Sequence, residues 1–210
     1  MKKFMALLLV AGMTLSLTAC GGSTDTAKTD QADGKDTFTV GFDQDFPPFG
    51  YVGDDGEFTG FDIEMATECA ARMGKKIVLQ PIDWDAKDME LEAGTIDCIW
   101  NGFTMNGRED QYTWTDPYMD NSQVVVVKKD SGINTLADLA GKVVEVQKES
   151  AAETALNDEE HADLMASFAQ LLSVGEYNTA FMDLESGAVD AVAIDIGVAQ
   201  FQIEGKEDQY

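Results

Sequence analysis

The 210-residue chain carries 39 acidic residues against 14 lysines and arginines, a formal net charge of −25. Such an excess argues against nucleic acid and against an anionic lipid surface as partners, because both would be repelled. Three cysteines set up no disulfide framework and one histidine offers no Cys/His zinc spacing, so neither metal nor cofactor is expected.

Lys2 and Lys3 form a basic start, and Phe4 to Leu17 is an apolar run too short to be a good membrane span, the pattern of an export signal over residues 1–19. Its loss takes the net charge to −27 as the two lysines leave. Leu17-Thr18-Ala19-Cys20-Gly21 resembles the lipobox of bacterial lipoproteins, in which cleavage precedes the cysteine and the sulfur receives diacylglycerol. The alternative is an ordinary signal with a chance cysteine. Residues 20–36, rich in Gly, Ser, Thr, Asp and Lys, lack apolar periodicity and read as a tether.

From Thr37 onward short β-rich runs alternate with helical periods. Phe38 to Phe42 is a strand; Phe49 to Phe58 is a hairpin turning at Asp55-Gly56. Met65, Ala66, Cys69, Ala70 and Met73 share one face of a helix over Phe61 to Met73, capped by Gly74. Lys76 to Gln80 is a strand, Asp85 to Ala93 a short helix ended by Gly94, and Ile96 to Trp100 a buried strand. Strands Val124 to Val127 and Val143 to Val146 flank a helix over Thr135 to Leu139. Helices over Glu149 to Leu156, Tyr177 to Leu184 and Ile196 to Ile203 and a strand over Ala188 to Ile194 complete the series. Alternation of this kind implies an α/β fold with parallel sheets. The division falls near Val127 to Asp130, giving lobe one over 37–127 and lobe two over 128–210.

Ligands of open α/β sheets sit beyond the carboxyl ends of strands, where this chain places Asp43, Gly102 to Arg108, Gln147 to Ala151 and Asp195. Arg108 is one of two arginines in the chain and follows a Gly/Thr turn at the end of an apolar run. Its planar fork suits a small carboxylate. Cys69 and Cys98 sit in apolar patterns as buried thiols, with a bridge between them as the alternative. His161 lies in the polar stretch Asp158-Glu159-Glu160 and is expected to be exposed; no Gly-x-Ser-x-Gly elbow or phosphate loop occurs.

Several ordered motifs carry a resemblance: Val40-Gly41-Phe42-Asp43 with Phe46-Pro47-Pro48-Phe49, Gly60-Phe61-Asp62-Ile63, Asp83-Trp84-Asp85, Gly94-Thr95-Ile96-Asp97, Gly102 to Arg108, Asp116-Pro117-Tyr118, and Gly187-Ala188-Val189-Asp190-Ala191. In this order they resemble the extracytoplasmic solute-binding proteins of the polar amino-acid class, family 3, the receptors of ABC importers. The resemblance implies a two-lobed, type II periplasmic-binding-protein-like fold. It implies that Arg108, helped by Thr104 and backbone near Gly102 and Ala151, clamps an α-carboxylate while Asp195 takes the α-ammonium. Phe46 and Trp84 would hold the rest of the amino acid, with Asp43 facing its side chain and Gln147 in the lobe-two loop. Phe46 and Trp84 are otherwise core, Asp43 a loop cap and Asp195 a helix N-cap.

The same resemblance implies a monomeric, lipid-anchored receptor on the outer face of the cytoplasmic membrane, handing its ligand to a permease. A sensor module or an exported dehydratase-like enzyme on the same fold are the alternatives. Glutamine, arginine, lysine, histidine and cystine all remain open as ligands, with Asp43, Asp45 and Glu149 favouring a cationic or amide side chain. Three departures stand out. The segment from Thr104 to Arg108 is one residue shorter than the commonest form, Gln147-Lys148-Glu149-Ser150-Ala151 lacks the usual glycine, and Tyr210 falls before the expected return to lobe one.

Overall fold

A computed structural model describes residues 36–210; the expected signal, Cys20 and the tether up to residue 35 lie outside the described residues. The first strand, β1 (Thr37–Phe42), lies between two parallel partners, β5 (Lys76–Pro81) and β6 (Cys98–Ile99). Between β1 and β5 the chain forms a small antiparallel sheet from β2 (Asp45–Phe46), β3 (Gly50–Val52) and β4 (Phe58–Thr59). It then enters α1 (Phe61–Arg72). The β3–β4 turn closes through Gly53 N–H to Glu57 O at 2.8 Å, with Gly56 at φ 82°, so Asp55-Gly56 turns where expected. β2 and its pairing with β3 were not anticipated.

Gly60 precedes α1 because nothing larger fits. A Cβ there would lie 2.4 Å from the Phe49 carbonyl oxygen, and φ is 125°. The close approach lets the Pro48 and Phe49 carbonyls accept the first amides of α1, from Phe61 and Asp62, at 2.9 Å each. This ties the Phe46–Phe49 turn to α1 and fixes one wall of the cleft.

Trp84–Ala86 forms a single tight turn that runs into α2 (Lys87–Ala93), so the expected helix over 85–93 begins as a 3₁₀ turn. Of the strand expected over 96–100, residues 98–99 pair regularly with β1, and Trp100 N–H reaches Gly41 O at 3.0 Å.

The second sheet runs β7-β10-β8-β9, from β7 (Gln123–Val127), β10 (Ala191–Asp195), β8 (Val143–Gln147) and β9 (Gln170–Val174). β8 is parallel to both neighbours, whereas β7 runs antiparallel to β10 over its full length. Here the sequence-based division needs correcting. A boundary at 127/128 assigns β7 to lobe one, but five residue pairs, Ala191↔Val127 through Asp195↔Gln123, place it in the second sheet. The physical reason is that Val124 to Val127 is an apolar run with no parallel βα partner of its own, and it satisfies its backbone as an antiparallel edge strand.

Along β10 the side chains alternate. Val192 and Ile194 pack on α5 (Tyr177–Ser186) and α6 (Ile196–Ile203), while Ala191 and Ala193 face Ala152 and Leu156 of α3 (Ala151–Asn157). Val144, Val146, Val192 and Ile194 are fully buried, each contributing about 1.5–3 kcal/mol of apolar transfer free energy. The expected helix over 135–139 is a 3₁₀ turn at Leu136–Leu139, closed by a capping box between Thr135 and Asp138. A short α4 (Ala162–Ser167) follows the turn at Glu159–His161, where His161 Nδ1 lies 2.8 Å from Ala155 O and the residue is half-buried rather than exposed. Cys69 and Cys98 are free, half-buried thiols.

Phe49 binds the two sheets' layers together. Its ring lies against Gly102, where a Cβ would sit 3.2 Å from it, and against Gly197 of α6 at 3.0 Å. Phe46 stacks on Phe49 at 5.6 Å and tilts toward Tyr177 of α5 at 6.1 Å.

Candidate functional site

The carboxyl ends of β1, β6, β8 and β10 converge as the strand order requires, and a cavity lies among them. It is lined by Phe46, Trp84, Asn101, Gly102, Phe103, Thr104, Arg108, Gln147, Ser150, Ala151 and Asp195. Eight of the nine residues singled out from the sequence are therefore brought together. Asn101, Phe103 and Ser150 were missed. The ninth, Asp43, is not part of the lining and sits behind Gln147, whose Nε2 donates to its Oδ2 at 2.6 Å. Asp43 Oδ1 also accepts from Asp45 N–H at 2.8 Å, so the residue caps its own loop.

Arg108 follows a turn in which its own N–H donates to Met105 O at 2.8 Å, with Gly107 at φ 77°. The turn folds the side chain back, and Nη1 donates to Thr104 O at 3.2 Å. Nη2 crosses to the other layer and donates to Glu149 O at 3.1 Å and Thr154 Oγ1 at 3.0 Å. The guanidinium lies 5.3 Å from the Phe103 ring centroid and the residue is 7% exposed. All three hydrogen bonds end on neutral oxygens, so a buried unit charge keeps its demand for an anion.

Asp195 holds the N-cap position of α6 by its backbone, yet its carboxylate caps nothing. Oδ1 accepts from Gln123 Nε2 at 2.7 Å and, by a short contact, from Asn121 Nδ2. Burial raises its carboxyl above the usual range, against the pull of these two donors. Asn121 also donates to Thr104 Oγ1 at 3.0 Å, coupling the carboxylate to the arginine turn. No periodicity points to Asn121; it belongs to the irregular stretch before β7.

The aromatic walls, Phe46, Trp84 and Phe103, all come from the first lobe. Trp84 is 7% exposed and donates its Nε1–H to Glu149 O at 3.3 Å, while Phe46 is 5% exposed within the hydrophobic core. Both residues thus serve as core and as lining. The loop after β8 departs from expectation at its start: Glu149 stands outside α3 at φ 61°, and Ser150 is the N-cap, accepting from Glu153 N–H at 3.1 Å. Glu149 occupies the left-handed conformation that a glycine would adopt freely. Its side chain turns away from the cavity toward Lys87, 3.0 Å from Nζ. On its outer side the cavity adjoins a larger groove along residues 97–106 and 111–123, which shares Asn101 to Thr104 and Asp195.

Residues 38–181 match the model of the bacterial extracellular solute-binding proteins, family 3. The chain belongs to that family. Among the relatives of this family-3 protein, the arginine-binding extracellular protein ArtP of Bacillus subtilis is 36% identical over 148 residues, 70% of this chain and 56% of that protein. The L-cystine-binding protein TcyJ of Escherichia coli is 31% identical over 194 residues, 91% of this chain and 69% of its own length. The chain thus spans little more than half of the first relative. A substrate-binding protein of an ABC uptake transporter from Streptococcus pneumoniae, solved with bound histidine, superposes with a TM-score of 0.77 at 36% identity, covering 81% of this chain and 70% of that one. The two-lobed α/β architecture is common to these family members. Asp195 lies beyond the residues matched by the family model, so its place in the site rests on the cavity geometry.

Burial raises the Asp43 carboxyl from 3.8 to about 6, with hydrogen bonds from Asp45 and Gln147 opposing the shift. Asp62, buried beneath Tyr118, is raised to about 6 in the same way. A folded pKa above the unfolded one means that the protonated acid favours folding. The benefit is complete below about pH 3.8 and is lost as pH rises through about 6. Asp43→Asn should therefore gain on the wild type between pH 4 and 7 by on the order of 3 kcal/mol, seen as about 6–12 °C in melting temperature. Parallel melting-versus-pH curves for variant and wild type would refute this account of Asp43.

Proposed function

We propose that this protein binds the zwitterionic head of a polar amino acid between Arg108 and Asp195 and closes its two lobes around it. The observation that carries this reading is the buried guanidinium, hydrogen-bonded to neutral oxygens alone, lining the same cavity as a buried carboxylate. One planar cation and one anion fix the two charges that every amino acid shares. Phe46 and Trp84 then hold the remainder of the ligand. Relatives named for arginine, cystine and histidine support a polar side chain.

In this reading the protein performs no chemistry and is a monomer that hands its ligand to an ABC transporter permease. One structural neighbour is an ancestral amino acid-binding protein described as a precursor of cyclohexadienyl dehydratase, with a TM-score of 0.74 at 29% identity, and it too is described as a binding protein. Lobe one would then run over residues 36–122 and lobe two over 123–210, a division that the pairing of β7 with β10 supports. Export and a diacylglycerol on Cys20 would keep the receptor at the outer face of the cytoplasmic membrane.

Closure on a ligand of about ten heavy atoms supports micromolar or tighter affinity. At a thousandfold excess over Kd the ligand should stabilise the fold by about 4 kcal/mol. A thermal-shift series with L-arginine, L-histidine, L-lysine, L-glutamine and L-cystine should therefore move the melt by about 8–16 °C for at least one of them. Arg108→Ala and Asp195→Ala should each weaken that ligand at least about thirtyfold. A cooperative melt that none of the five displaces would sink the proposal. For the anchor, Cys20→Ser expressed in a bacterial host should leave the membrane fraction, and persistence there would argue against lipidation.

A further inference from the structure

The side chains of Glu149 and Lys87 form a contact between the lobes that lies outside the cavity lining. Lys87, the first residue of α2, has a side chain only 3% exposed, yet carries a charge. Its nearest carboxylate oxygen is Glu149 Oε2 at 3.0 Å; Asp88 Oδ2 is at 3.8 Å, and the ammonium lies 5.4 Å from the Trp84 ring centroid. Glu149 is the one non-glycine residue with positive φ among the described residues. Its carbonyl takes Trp84 Nε1 and Arg108 Nη2, so three donors of lobe one converge on a single residue of lobe two. The pair at the next position, Lys148 and Asp85 at 2.7 Å, is open to solvent and correspondingly weak. Neither Lys87 nor Glu149 lines the cavity.

We propose that the Lys87–Glu149 pair is an interlobe latch that sets the open–closed equilibrium of the cleft independently of ligand contacts. Only in the closed arrangement is the ammonium shut away from water, so only there does it need the carboxylate. Removing the carboxylate penalises the closed form alone and shifts the population toward the open one. Removing the ammonium as well abolishes the penalty. If Glu149 served loop geometry alone, Glu149→Gly would leave the cleft as the wild type has it, because glycine occupies positive φ without steric conflict.

The inference rests on the two-lobe closing reading, but its test uses no ligand and so succeeds or fails whichever amino acid binds. Small-angle scattering is measured on the full chain dialysed free of amino acids, for the wild type, Glu149→Gly, Lys87→Met and the double variant. The expected result is a larger radius of gyration for Glu149→Gly, restored to the wild-type value in the double variant. Glu149→Asn, which also tolerates positive φ, should behave like Glu149→Gly. Wild-type scattering from both Glu149 variants, each with a cooperative melt, or expansion that Lys87→Met does not reverse, would overturn the latch.

Discussion

A buried guanidinium must be solvated by something, and in this molecule that requirement organises the site. Arg108 leaves water at the junction of two lobes, and the oxygens that receive it come from both: Thr104 from its own turn, Glu149 and Thr154 from across the cleft. The turn at Met105 to Arg108, the left-handed backbone at Glu149 and the start of α3 are all arranged around that one planar group. Neutral carbonyl and hydroxyl oxygens orient the fork without cancelling its charge. In the proposed reading, that uncancelled charge is what draws an anionic group into the cavity of a chain that is strongly acidic overall.

The carboxylate opposite is treated in the complementary way. Asp195 is buried at the end of a central strand and accepts hydrogen bonds from two amide donors, Gln123 and Asn121, with the Arg108 charge acting on it at longer range. Burial disfavours its ionised form while the amides restore part of what water supplied. Asn121 touches both Asp195 and Thr104, so the positions of the two charged ends are not independent. In the proposed reading, a ligand carrying both charges satisfies both ends together, and a ligand with only one leaves a buried charge unmatched.

Much of this was legible in the sequence because periodicity reports burial. The helix face at Ala66 and Ala70 follows from apolar spacing and the strand over 191–194 from its continuous apolar run, and the strand order then brings Gly102, Gln147 and Asp195 to one end. What escaped depended on partners far along the chain. β7 reads as an isolated valine run, and only its pairing with β10 assigns it to the second sheet. Lys87 occupies an ordinary surface-looking position next to Asp88, yet it is buried and its ammonium meets Glu149, 62 residues away. Asp43, expected to face the ligand's side chain, is not in the cavity lining but hydrogen-bonds to Gln147, which is. Asn121 sits in irregular backbone, where no spacing signals a role.

The most direct test of paired-charge recognition is calorimetric titration of the wild-type protein with the amino acid that gives the largest thermal shift, alongside its α-amide and its N-acetyl derivative. The account predicts that the free amino acid binds and that each derivative binds at least about thirtyfold more weakly, since each leaves one buried charge without its partner. Equal binding of either derivative would contradict the assignment of Arg108 or Asp195, respectively, to the ligand's α-carboxylate or α-ammonium.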